Sequence, residues 1–408
     1  MANIQKKRIL FIAEGVSRAH PTRLSVLANE LDPEIYDLHF ATTLEFASSL
    51  DLKDGITFHS FRSLSNAEFN RRLFETTFPK TSQEWESDIK EDEALLAKVT
   101  PDLIVSDFRL SIYTSAKKRR IPVLNLIQFH WYRGFERPNV VPYIKPVALF
   151  GRKISEFVSA WVTPFFYWRQ KQSVNALERK NNEELSSSLV DFYCRGTHLL
   201  FPELPEVYEP LPVLNDGTFI GPIIWKKDHE TLPKNWGDLP TDRRFAYVTM
   251  GSTGDEAKLE LIIKHLIELG FNILLSAKEQ DYCLKFPDRV WQAPFIPADL
   301  ALQKSVVHVC NGGTSSTYHA LMHGVLVLGI PMNADQCFHM DRLKRMKYAE
   351  MIFFDQVNEK NFSEKMQSLL NSQEIRENTL KAQNSIQQTQ RNKAFEKVVK
   401  RFLSEQRG

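Results

Sequence analysis

The sequence predicts an α/β protein made of two doubly wound parallel sheets. Three observations carry that prediction. Short, unbroken apolar runs recur along the chain, and such runs mark strands buried on both faces. Helical spacing alternates with them, once in the first half and again after Phe245. Between the two series lies a stretch from Gly221 to Pro240 that is rich in Pro, Gly and Lys and poor in periodicity, as a linker would be.

The elements follow in order. Ile9-Leu-Phe-Ile-Ala13 reads as the first strand, and Gly15 opens the loop after it. Pro21 to Leu31 has helical spacing with proline in its first turn. Tyr36–Ala41, Leu103–Asp107 and Val123–Ile127 read as further strands. The second series runs through strand Ala246–Met250, helix Leu259–Leu269 and strand Phe271–Ser276. Strands at Val306–Cys310, Val325–Ile330 and Met351–Phe354 complete it, and Asn361 to Gln406 reads as a polar helical tail. The expected domains are 1–220 and 244–385, joined by a linker over 221–243. A C-terminal helix over 386–408 is expected to pack back toward the first domain.

Composition narrows the function. The 408 residues suffice for two domains, and 43% hydrophobic with 25% charged residues is ordinary globular usage. A net charge of +2 gives no reason to expect nucleic acid as a partner. The apolar run after Lys6-Lys7-Arg8 stops at Glu14, short of the roughly 7–15 residues of a secretion signal. No run approaches the roughly 20 residues of a membrane span. Cys194, Cys283, Cys310 and Cys337 have no metal-ligand spacing and read as isolated reduced thiols of a cytoplasmic protein. No acidic pair stands out as a metal site. One segment departs from the pattern: residues 131–171 mix Trp131, Trp161, Phe165, Phe166, Tyr167 and Trp168 with seven Arg or Lys against two Glu. Three readings stay open for it: helices packed on the first domain, an apolar acceptor pocket, or peripheral membrane contact.

The chemistry concentrates in the second half. Strand Val306–Cys310 runs into Asn311-Gly312-Gly313-Thr314-Ser315-Ser316, which opens a helix. A helix N-terminus offers unpaired N–H groups and a partial positive charge, which suits a diphosphate. Downstream come His319, Gly324-Val325, Pro331 and Asp335-Gln336; upstream lie Phe295-Ile296-Pro297 and Gly251-Ser252-Thr253. In spacing this stretch resembles the donor signature of glycosyltransferase family 1, the UDP-glycosyltransferases. The resemblance implies a GT-B fold, with two Rossmann-like domains facing across a cleft. It implies that Phe295 and Ile296 flank the nucleobase, and that Gly251, Ser252, Thr253, Gly312, Gly313, Ser315 and Ser316 surround the diphosphate. Asp335 and Gln336 would then bind sugar hydroxyls. Asn311 stands where the family has a phosphate-binding His, His319 where it has a ribose-binding Glu, and Ala298 where it has Gln.

In the first half, Glu14-Gly15-Val-Ser-Arg-Ala-His20 matches the loop that carries the family's general base, so His20 takes that role by resemblance. Asp107, at the end of its strand, takes the role of the Asp that orients it. The implied activity is inverting transfer of a sugar from a nucleotide sugar, by default UDP-glucose or a related UDP-hexose, to a small-molecule or lipid-like acceptor. No separate cofactor or metal is implied. The competing readings are another GT-B enzyme, either a nucleotide-sugar epimerase or a lipid-acceptor transferase, and a non-catalytic sugar-nucleotide-binding module.

Overall fold

The computed structural model describes residues 6–47, 50–77, 80–226, 232–233, 236–241, 244–251, 256–278, 280–389 and 391–405. The chain divides into two compact units: Met1–Arg137 with Val158–Ile223 and Gln390–Gly408, and Pro138–Phe157 with Ile224–Thr389. The division departs from the expected boundaries: 138–157 belongs with the second unit, as does the chain from Ile224 through Thr389, which takes in most of the expected linker and the first residues of the expected C-terminal helix. Tyr143 anchors residues 138–157 there, through its N–H to the Met332 carbonyl at 2.7 Å. The Arg152 guanidinium does the same, bonded to Asp355 and stacked 3.7 Å from the Phe353 ring centre.

The first unit holds seven parallel strands: β1 (Lys7–Ala13), β2 (Tyr36–Thr42), β3 (Ile56–Ser60), β4 (Leu103–Asp107), β5 (Val123–Leu126), β6 (His198–Phe201) and β7 (Gly217–Phe219). Their spatial order is β3-β2-β1-β4-β5-β6-β7. Both faces of the sheet are covered, because successive side chains along a strand point to opposite sides. Ile9 and Phe11 join one core with Leu24, Leu38, Phe40 and Val105. Leu10 and Ile12 join the other with Trp85, Ile89, Leu96 and Ile104. That is why the run reads as continuously apolar rather than alternating. The C-terminal helix Arg391–Glu405 completes the first face with Phe395, Val399 and Phe402. Arg391 fastens it, donating to Glu30 at 2.7 Å and to the Pro222 carbonyl at 2.9 Å.

The second unit holds β8 (Phe245–Thr249), β9 (Asn272–Ser276), β10 (Val290–Ala293), β11 (Ser305–Cys310), β12 (Leu326–Gly329) and β13 (Glu350–Met351), in the order β10-β9-β8-β11-β12-β13. All described pairings are parallel. The predicted strand at Met351–Phe354 is shorter than expected, since the chain leaves β13 after Met351 and turns at Phe354–Gln356. β3, β6, β7 and β10 have no counterpart among the predicted strands.

In each sheet the strand order reverses at one place, between β1 and β4 and between β8 and β11. At such a switch point the two flanking loops diverge and leave a crevice at the carboxyl ends of the strands. The candidate residues lie around these two points. No described helix is long and apolar enough to cross a membrane.

Candidate functional site

In the first unit, Ala13 and Asp107 end adjacent strands in register. Asp107 therefore stands at the carboxyl edge of the sheet. His20 is the second residue of helix Ala19–Glu30, which follows β1. His20 Nδ1 lies 2.7 Å from Asp107 Oδ1. A carboxylate only accepts, so Nδ1 carries a proton where it meets Asp107; Arg23 Nη2 also lies 3.2 Å from this nitrogen. The ring is stacked on Phe108, with centroids 5.0 Å apart and planes 8° from parallel. Phe108 has φ +62°, an uncommon conformation for a bulky residue, and it turns the chain sharply away from Asp107.

Sequence reasoning missed Arg23. Its Nε donates to Asp107 Oδ2 at 3.1 Å and its Nη2 to Oδ1 at 2.9 Å, a fork that holds the carboxylate plane. The signal was its spacing: three residues after His20, it shares a helix face with it. Asp107 is thus divided between an imidazole and a guanidinium.

Beneath this lies a buried ion network. Lys80 Nζ meets Glu14 at 2.6 Å and Asp88 at 2.5 Å. Arg109, wholly buried, meets Asp92 at 2.9 Å, Asp88 at 3.2 Å and Glu14 at 3.3 Å. Burial pushes Glu14 up, yet Lys80 and Arg109 outweigh it and hold its carboxyl well below the usual range. At Asp88 burial wins and the carboxyl is raised. Glu14 and Lys80 also line a cleft with Phe69, Trp85, Phe108 and Tyr193. Its free volume is about 10 Å³, room for roughly one water, so it is a floor of the site and not an acceptor chamber as it stands.

In the second unit, the turns after β8 and β11 converge. A Cβ on Gly251 would lie 3.0 Å from Asn311 Nδ2, so the backbone at 251 rests against that amide. Ser252 and Thr253 lie outside the described residues. Gly312 has φ +75°, and a Cβ there would come within 2.4 Å of Met340 Cγ, so only glycine fits. Gly313 is the N-cap of helix Thr314–Met322. The first-turn N–H groups of that helix have no intrahelical partner, an arrangement that suits an anion. Ser315 is half-buried beside them. The Ser316 hydroxyl is engaged elsewhere: it donates to His308 Nε2 at 2.7 Å, while His308 Nδ1 donates to the Tyr247 carbonyl at 3.1 Å. Burial lowers His308 to about 4, so the ring is neutral and part of the core.

His319 is buried, and its Nε2 donates to Asp299 Oδ1 at 3.0 Å. His323 Nε2 reaches the same oxygen at 2.8 Å, and Lys226 Nζ the other at 3.0 Å. Burial lowers His319 although Asp299 pulls it up; Asp299 is itself lowered, since its histidine partners outweigh its burial. Asp299, His319 and His323 bring three potential metal-ligand atoms together, a cluster the sequence reading did not single out.

Two positions serve the fold more than expected. Ile296 is wholly buried, and its N–H donates to Ser276 Oγ at 3.0 Å. Phe295 is half-buried and packs edge-on against Trp225, with centroids 5.9 Å apart. Gln336 closes a capping box: its Oε1 accepts from Met332 N–H at 3.0 Å, and Asn333 Oδ1 accepts from Gln336 N–H at 3.0 Å. Asp335 beside it is half-buried in the first helical turn. Size does not mark this site. A groove of about 490 Å³ in the second unit is lined by Asp341, Lys344, Phe353 and Lys365, and no candidate donor residue borders it.

Two Rossmann-like units of this topology make a GT-B fold. The glycosyltransferase of kitacinnamycin covers 98% of this chain and 99% of its own at a TM-score of 0.72 and 15% identity, and that likeness concerns the fold. The chain belongs to the UDP-glucoronosyl and UDP-glucosyl transferase family, whose profile matches residues 148–399. Among curated relatives, the PGL/p-HBAD biosynthesis glycosyltransferase of Mycobacterium tuberculosis is 26% identical over 374 residues, covering 91% of this chain and 87% of its own. The PGL/p-HBAD biosynthesis rhamnosyltransferase of Mycobacterium bovis is 28% identical over 344 residues, covering 84% and 76%. The protein is a glycosyltransferase enzyme.

Proposed function

We propose that this enzyme moves a hexose from a nucleotide sugar to an acceptor hydroxyl with inversion at the anomeric carbon, and that His20 is the general base. The observation that carries the reading is the 2.7 Å contact from His20 Nδ1 to Asp107, which leaves Nε2 as the basic nitrogen. An alcohol is a poor nucleophile until its proton is removed, and a positioned imidazole contributes about 10²–10⁴-fold by removing it. The acceptor O–H proton passes to His20 Nε2 as the acceptor oxygen bonds to the anomeric carbon. The bond from that carbon to the diphosphate oxygen breaks, and both electrons leave with the diphosphate. Asp107 keeps the ring oriented and balances the imidazolium.

In this reading Gly312, Gly313 and Ser315 with the first-turn N–H groups receive the leaving diphosphate, and Asn311 donates an amide N–H without adding charge. Phe295 offers the nucleobase surface, His319 a single ribose contact, and Asp335 accepts from sugar hydroxyls. The donor is a UDP-hexose, in line with the family description. One relative is named a rhamnosyltransferase, so the donor panel includes a deoxyhexose.

The test compares wild type with His20→Ala across UDP-glucose, other UDP-hexoses and a nucleotide-activated rhamnose, reading nucleotide release and product anomer. His20→Ala is expected to lower kcat about 10²–10⁴-fold with little change in donor KM. Unchanged kcat, or retention at the anomeric carbon, refutes the mechanism.

A further inference from the structure

Helix Arg152–Lys180 presents a run of apolar side chains to solvent. Ile154, Phe157, Trp161, Phe165 and Trp168 follow one another at three- and four-residue intervals, so they form one stripe along the helix. They are 57%, 80%, 82%, 55% and 59% exposed. A stripe of this kind normally faces a core; here it is exposed among the described residues, and exposed aromatic stripes of this length mark interaction surfaces. Further along, Val174 and Leu177 are buried, so the same helix turns a different, ordinary face to the protein.

The charges around the stripe say what fits it. Helical geometry places Lys153 and Lys171 along one flank and Arg169 along the other. From Arg152 to Ala176 the one carboxylate is Glu156, and its Oε1 lies 3.4 Å from Arg152 Nη1. The surface is therefore aromatic along its middle and basic at both edges. Trp and Phe settle at the boundary between headgroups and acyl chains, and Lys and Arg reach anionic headgroups beside them.

We propose that this helix docks the enzyme on an anionic lipid bilayer, lying in the interface with the Phe157–Trp168 stripe inserted and Lys153, Arg169 and Lys171 on the headgroups. The surface is separate from the residues assigned to donor and base, so the proposal stands or falls independently of the reaction proposed above.

The test is co-sedimentation of the full chain with extruded vesicles of phosphatidylcholine alone and of phosphatidylcholine mixed with phosphatidylglycerol. The wild type is expected to bind the anionic vesicles at least about tenfold more tightly, with weaker binding at high salt and a blue shift of tryptophan emission. The Trp161→Ser, Phe165→Ser, Trp168→Ser triple variant is expected to lose about tenfold or more of that binding, with its thermal midpoint kept. Should that variant misfold, the Lys153→Glu, Arg169→Glu, Lys171→Glu variant leaves the aromatics in place and is expected to abolish the preference for anionic vesicles. Absent binding to anionic vesicles, or binding that neither variant weakens, overturns the proposal. A concentration-dependent dimer dispersed by the serine variant also overturns it, in favour of a second copy as the occupant.

Discussion

The two switch points of this enzyme solve the same placement problem with opposite chemistry. At the first, a strand-end turn is braced by Glu14, Lys80, Asp88, Asp92 and Arg109, all buried and all ionisable. At the second, the turn from Asn311 to Ser316 is neutral, and the groups beneath it are a neutral His308, a serine hydroxyl and glycine backbone. The contrast follows from where charge must move. A base that takes a proton needs a fixed counter-charge, and Asp107 stays fixed only if its surroundings are rigid. A turn that receives a diphosphate needs unpaired N–H groups, and a buried carboxylate there would repel the ligand.

The largest effect is expected from breaking the ionic side. Arg109→Met leaves Lys80 to pair with Glu14 and Asp88, and leaves Asp92 with the Ser111 hydroxyl. Removing one partner of a buried ion cluster costs about 3–5 kcal/mol, because the desolvated charges that remain are uncompensated. Denaturant unfolding at neutral pH should report that loss. Part of it should return in mild acid, where the orphaned carboxylates take up protons. A loss below about 1 kcal/mol would place the network among exposed ion pairs and dissolve the contrast.

The neutral side has its own pH signature. Unfolded His308 titrates near its ordinary 6.5, and burial lowers it to about 4 in the fold. Between those values the unfolded chain binds a proton that the folded chain refuses. Its contribution is therefore whole above pH 6.5 and is lost as pH falls toward 4, on the order of 3 kcal/mol in all. His319, lowered as well, adds to the slope in the same direction. His308→Gln should flatten the acid limb of a stability curve measured from pH 7 to 4. An unchanged limb would mean that His308 is protonated in the fold, and the floor of the donor turn would then be charged.

How much of this was legible depends on what each residue answers to. β1 was readable because Ile9 to Ala13 are buried on both faces and must all be apolar. β3 was not, since Ile56-Thr-Phe-His-Ser is an edge strand with only His59 fully buried, and its composition follows solvent as much as pairing. β6 and β7 are four and three residues long, too short for any period to show. The His20–Asp107 pair was legible through the resemblance, which put a His in the loop after the first strand and an Asp at the end of another strand. Arg23 and the contacts of Glu14 were not, because their meaning lies in partners 66 to 95 residues distant. For Gln336 and Ile296 spacing gave their place in the motif, while their burial and capping contacts, which depend on the folded surroundings, were not legible.

The smallest effect sharpens the contrast most finely. Gln336 stands in the donor motif, yet its amide oxygen accepts from Met332 and Asn333 N–H at 3.0 and 3.4 Å. If capping is its work, Gln336→Ala should cost about 1 kcal/mol of stability, as other lost caps do. The donor KM would then move little, because Asp335 keeps its place once the helix is formed under native conditions. If the side chain instead holds a sugar hydroxyl, the thermal midpoint stays and donor KM rises about fivefold or more, the worth of one hydrogen bond. Measuring both on one variant separates a residue that builds the neutral turn from one that reads the sugar. It also tells whether Asp335 alone supplies the polar contact of the pair.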